Sequence, residues 1–85
     1  MTLVVLIASI TNNFKMNKRY LQKFAQNLKR LRHEKGLTQD DLASEKISRS
    51  MISLVETART DLTVSKIKSI ADTLNIHPRE LFNFD

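Results

Sequence analysis

Cysteine is missing from this 85-residue chain, which rules out disulfides and thiolate-held metal. The two histidines, His33 and His77, are too few and too distant in sequence for a zinc site, so neither metal nor cofactor is expected. No Ser, His and acid, and no pair of carboxylates, falls at a spacing suited to catalysis, and an enzyme is not expected. No apolar run is long enough to span a bilayer. The longest, Leu3 to Ala8 extended by Ile10, falls short of the roughly 20 residues a crossing helix needs. It also lacks the basic start and small-residue cleavage site of a secretory signal, so a cytoplasmic protein without a membrane partner is expected. Acidic residues are scarce where it matters: between positions 15 and 35, Lys15, Lys18, Arg19, Lys23, Lys29, Arg30, Arg32 and Lys35 face the single acid Glu34. The net charge of +5 and this clustering suit a polyanion partner, although a basic run is also what the solvated face of a helix looks like.

The remaining signals are helical. After the polar stretch Thr11, Asn12 and Asn13, the pattern predicts a helix from about Asn17 to Lys35, stopped by Gly36. Its apolar residues Leu21, Phe24, Ala25, Leu28 and Leu31 recur at helical spacing, leaving the basic residues for the other face. The segment Gly36 to Glu56 holds two short capped helices. Thr38 caps the first, with Asp41 completing a capping box; Ser48 caps the second. Leu42 and Ala43 supply the inner face of the first, Ile52 and Val55 that of the second, and Ile47 plugs the turn. Two helices joined this tightly form a helix-turn-helix. The outward side chains at the start of its second helix, Arg49, Ser50 and Ser53, then lie at the end that docks in a DNA major groove. A loop from Thr57 to Leu62 precedes a helix over Thr63–Asn75, with Val64, Ile67, Ile70, Ala71 and Leu74 inward. His77-Pro78-Arg79-Glu80 starts a short last helix. The expected fold is all-α: a compact five-helix bundle with a helix-turn-helix over residues 16–85, with residues 1–15 as an apolar leader. That leader is an extension ahead of a start at Met16, a strand or turn packing on this molecule or a dimer mate, or a weak targeting segment.

Three blocks resemble the Xre/Cro/phage-repressor family over residues 20–84. They are Leu31-Arg32 with Gly36-Leu37-Thr38-Gln39 and Leu42-Ala43; Ser48-Arg49-Ser50 with Ile52-Ser53 and Glu56; and Ile70-Ala71 through Leu74-Asn75-Ile76 to Glu80-Leu81-Phe82. Within the family the chain is most similar to small single-domain members, such as phage repressors and restriction–modification controller proteins. The resemblance implies a homodimer on a palindromic operator in double-stranded DNA, acting as a repressor or autoregulating controller with no evident small-molecule effector. The chain also departs from the family pattern. One residue fewer lies in the turn before Ser48, Thr57-Ala58 stands where Asn-Gly is frequent, Leu62 stands where a Pro is frequent, and Leu54 takes a position commonly polar or basic.

Base readout is expected from Arg49, Ser50, Ser53 and Leu54, the last by apolar contact with a thymine methyl. Arg49 suits guanine O6 and N7, or alternatively a phosphate. Thr38, Gln39, Lys46, Thr57, Arg59 and Thr60 are the expected phosphate contacts, Gln39 having helix capping as its plainer role. Lys46, like Lys35, is equally readable as solvated surface. By resemblance Arg32 and Glu56 form a structural ion pair. Leu81, Phe82 and Phe84, with the outer side of the Thr63–Asn75 helix, either form the dimer interface or seal the monomer core. The rival reading is an antitoxin-like protein-binding module with secondary DNA binding; Arg49 and the basic first helix count against it.

Overall fold

The computed structural model describes residues 2–84 in backbone and 17–84 in side chains. Four α-helices, α1 (Thr2–Glu34), α2 (Gln39–Leu42), α3 (Arg49–Glu56) and α4 (Val64–Leu74), are followed by a 3-10 helix, Pro78–Phe82. Among the described residues there is no strand, and the fifth helical segment is 3-10 rather than α.

The first helix departs from expectation at its start. Its backbone runs unbroken through Thr11, Asn12 and Asn13 instead of beginning at Asn17. The physical reason is that Thr and Asn each cost a helix less than ~1 kcal/mol relative to Ala, and no Gly or Pro stands there to end it. The leader side chains lie outside the described residues. From Asn17 on, Phe24, Ala25 and Leu28 are buried and Leu21 and Leu31 half-buried, while Arg19, Lys23, Lys29 and Arg30 are exposed on the other side.

Three helices end in the same way, with the chain turned through a left-handed residue. Gly36, Ala58 and Asn75 have φ of 69°, 57° and 58°. The residue after each donates back to the carbonyl five positions earlier: Leu37 to Arg32 at 3.1 Å, Arg59 to Leu54 at 2.9 Å, and Ile76 to Ala71 at 3.0 Å. This pairing satisfies carbonyls that a helix end leaves orphaned. Leu37 and Ile76 then pack on the core, the apolar contact usual for this motif. At the end of α3 the equivalent residue is Arg59, which is charged and exposed.

The short middle helices are held by their caps. Thr38 Oγ1 accepts from Asp41 N at 3.1 Å while Asp41 Oδ2 accepts from Thr38 N at 2.7 Å, closing the capping box. Ser48 Oγ accepts from Met51 N at 3.1 Å. The shorter connection between them is accommodated by ending α2 after a single turn at Leu42, with Ala43 already extended. Ser44 and Ile47 then exchange backbone hydrogen bonds, 2.8 and 3.3 Å, and Ile47 is buried beneath the turn.

Leu28, Leu42, Ile52, Ile70, Leu74 and Leu81 form the innermost core, so every helical segment contributes to it. Val64 does not: it is 83% exposed, because as the first residue of α4 it lies beyond the edge at which that helix meets the core, which begins at Ile67. Asn27 takes a place within the apolar register between Phe24 and Leu28. Its amide donates to the carbonyls of Glu80 and Leu81, both at 2.9 Å, fastening the 3-10 helix to α1. His77 and Pro78 start that last segment, His77 Nδ1 accepting from Arg79 N at 3.1 Å.

Candidate nucleic-acid interface

The cap on Ser48 fixes where α3 begins and therefore where its first side chains emerge. Arg49 and Ser50 are exposed at that end, Ser53 is half-buried, and Leu54 is 40% exposed. Arg49 shares an open notch with His33, Thr38, Gln39 and Asp40, so the start of α3 and the start of α2 face the same space. Asp40 is the acid in that notch.

Arg32, which also lines the notch, belongs to a largely buried polar network. Arg32 Nε donates to Glu56 Oε2 at 2.7 Å and Arg32 Nη2 to Glu56 Oε1 at 3.0 Å, a fork-on-fork pair between the last turn of α1 and the last residue of α3. Arg32 Nη1 donates to the Leu37 carbonyl at 2.8 Å. The hydrogen bond to Glu56 and its negative charge raise the Arg32 pKa above its ordinary value, against the opposing effect of burial. Gln39 belongs to this network as well as to the notch: its Nε2 donates to Glu56 Oε1 at 3.1 Å. On the surface, Thr38 N and then the Thr38 hydroxyl hold the Asp41 carboxyl below its ordinary pKa.

Other expected contact residues lie around the end of α3. The Thr57 hydroxyl donates to the carbonyls of Ser53 and Leu54, 3.0 and 3.1 Å, which leaves its oxygen as an acceptor only. Arg59 is exposed, and Thr60 is half-buried with its hydroxyl 3.4 Å from the Asp61 carbonyl. Lys46 is exposed in the turn, as is Lys35 at the end of α1. Lys18, one of the basic run on α1, donates through its ammonium to the Ala58 carbonyl and ties α1 to the loop that carries Arg59.

The carboxy-terminal apolar residues separate into two groups. Leu81 is 0% exposed and belongs to the monomer's core, so it is not available to a dimer interface. Burial follows from the Asn27 hydrogen bond to its carbonyl, which draws the segment onto α1. Phe82 is 39% exposed beside Phe24, with ring centroids 5.1 Å apart, and Phe84 is half-buried against Tyr20 at 5.2 Å. Tyr20 is a further exposed aromatic on α1. Among the described residues no cluster of His, Asp and Glu is suited to a metal, and no helix is long and apolar enough to cross a membrane.

This geometry has known counterparts. The Helix-turn-helix family matches residues 28–81, from within α1 to the last helical segment. Among solved structures, the restriction-modification controller protein C.AhdI from Aeromonas hydrophila is 39% identical and superposes with a TM-score of 0.72. The match covers 76% of this chain and 96% of that one. No curated protein matches the chain. With the paired capped helices, the exposed start of α3 and this likeness together, the chain belongs to the Xre-type helix-turn-helix family of DNA-binding transcriptional regulators.

Proposed function

We propose that the chain binds a palindromic operator as a homodimer and regulates transcription by occupying promoter DNA, as a repressor or autoregulating controller, in the cytoplasm and without a cofactor. The observation that carries this reading is the pairing of Arg49 and Gln39 in one open notch at the starts of α3 and α2. An Arg at the first exposed turn of a recognition helix reaches guanine in the major groove, with Ser50, Ser53 and Leu54 beside it. Gln39 and Thr38 meet the phosphate backbone at one end of that helix and Arg59 and Thr60 at the other, with Lys46 at the turn, while Thr57, whose hydroxyl and N–H are both spent on helix carbonyls, has no donor left for a phosphate. Two copies place their recognition helices about 34 Å apart, one turn of DNA. Phe82, Phe84 and the exposed Val64 supply the two-fold contact. The similarity to a protein described as a restriction-modification controller supports the controller role.

Selection of bound sequences from a random duplex pool tests the proposal, with a two-fold symmetric consensus expected. Titration of the selected operator should give a fall of log K with log salt at a slope of about −5 to −9 for ~6–10 phosphate contacts. Arg49→Ala should lose roughly 1–3 kcal/mol per half-site and flatten the preference at one base position, whereas Gln39→Ala should weaken all sequences about equally. Recovery of no consensus, or a salt slope near zero, would overturn the proposal.

A further inference from the structure

Glu56 ends the recognition helix, yet its side chain is 2% exposed and its carboxylate collects three donors from two other segments. Oε2 accepts from Arg32 Nε, and Oε1 accepts from both Arg32 Nη2 and Gln39 Nε2, at 3.0 and 3.1 Å for the latter two. An ionised carboxylate is an acceptor only, so it dictates which end of the Gln39 amide turns toward it: the NH2 group, never the carbonyl oxygen. Arg32 is itself fixed by the Leu37 carbonyl, in the segment that leads directly into α2. The end of α1, the start of α2 and the end of α3 are thereby held around one pair of oxygens.

We infer that Glu56 is a positioning residue for DNA binding: by holding the Gln39 amide in one orientation, it leaves the second N–H of that amide as the donor for a phosphate. This rests on the reading of the Gln39–Arg49 notch as DNA-facing. An unanchored glutamine offers a phosphate either its amide hydrogens or its carbonyl oxygen, and the second arrangement repels. Anchoring removes the wrong one. It also makes the ordering of the side chain a cost met when the protein folds and not when it binds. The ion pair therefore acts on the operator through Gln39. Gln22 and Gln26, exposed on α1, serve as internal comparisons.

A mutant cycle on the selected operator duplex tests the inference. Gln39→Ala should weaken binding roughly two- to tenfold in the native background, the range set by ordering one flexible side chain. In the R32M/E56M background, where an apolar pair replaces the ion pair, the same replacement should cost less than about twofold, because the anchor is already gone. Equal losses in both backgrounds, or no loss in the native one, would overturn the positioning role. Since the double variant can fail to fold, a second measurement uses the native protein alone. The Gln39 side-chain amide should show a nitrogen-15 order parameter close to that of rigid backbone, roughly 0.85, against less than ~0.6 for Gln22 and Gln26. A Gln39 amide as mobile as those two would overturn the inference. A chain that selects no duplex removes the DNA reading itself; one that selects a duplex but carries a mobile Gln39 amide loses only the role of Glu56.

Discussion

Arg32 and Glu56 meet through two near-parallel hydrogen bonds, 2.7 and 3.0 Å, with only 8% and 2% of their side chains exposed. Paired and hydrogen-bonded, the two charges are tolerated in the interior; unpaired, either one is costly. Arg32→Ala and Glu56→Ala should each lower stability by about 3–5 kcal/mol, since each strands the other charge. The double replacement should cost less than the sum by ~0.5–3 kcal/mol. Denaturant titration of the four proteins checks this, and additive losses would show that the two charges contribute independently.

Asp41 gives the first motif helix a pH dependence. Its folded-state pKa lies below the ordinary 3.8 because the Thr38 N–H, and then the Thr38 hydroxyl, favour the ionised carboxylate. A depressed carboxylate pKa stabilises the fold above the unfolded-state value and loses that contribution as pH falls through the folded-state value. Asp41→Asn should therefore lower the melting temperature near pH 6, with the difference from the native protein shrinking as pH drops below about 3.8. A difference that stays constant from neutral to acid pH would mean that the capping box does not discriminate between the two charge states.

Ala58 occupies the left-handed position that ends α3, with φ of 57° and its methyl group buried. An L-residue there is strained by roughly 1–2 kcal/mol. Ala58→Gly relieves that strain but forfeits a buried methyl, about 0.8 kcal/mol, and restores chain entropy to the unfolded state, so the expected change is within ~0.5 kcal/mol. Ala58→Val keeps the strain, adds β-branching where it is least tolerated, and should cost about 2 kcal/mol or more. Thermal melts of both variants check the contrast. A Val variant as stable as the native protein would place the turn in a different conformation.

What could be read from the sequence was mostly what is local. The Thr38–Asp41 and Ser48 caps, the Gly36 stop and the His77-Pro78 start each involve groups within five residues, and the local residue types alone specify them. The face of α1 followed from spacing in the same way. Non-local choices were legible only through the family resemblance, as for Arg32 with Glu56. Nothing in the sequence connects Gln39 to Glu56, Lys18 to Ala58 or Asn27 to Leu81, because those hydrogen bonds depend on how separate segments dock. Thr11 to Asn13 suggested a break only because their helix propensities are modest, and a modest penalty does not stop a helix. Val64 fits the periodicity of α4 yet faces solvent, since periodicity gives the direction of a side chain and not where the core ends. Ala58 is the wrong residue type for the conformation it adopts, and the one hint was that it stands where the family frequently has Gly.

Residues 1–15 supply the last test. The described ties between α1 and the rest of the fold begin at Lys18 with the Ala58 carbonyl and continue through Phe24 against Phe82, Asn27 to Leu81 and Arg32 to Glu56. All of them survive in a chain that begins at Met16. We therefore expect that shortened protein to fold and to bind the same operator, residues 2–15 forming an extension of α1 about 21 Å long at the helical rise per residue. The leader is not chemically neutral, however. No charged side chain precedes Lys15, and Leu3-Val4-Val5-Leu6-Ile7 has the composition of an aggregating strand, so a chain that keeps it has to bury it. Sedimentation and operator titration of both lengths distinguish the cases. The full chain should associate beyond the dimer, or less reversibly, while the shortened chain keeps its dimer and its operator affinity. If the shortened chain is instead monomeric and binds weakly, the leader forms part of the two-fold contact, and Phe82, Phe84 and Val64 do not suffice for it.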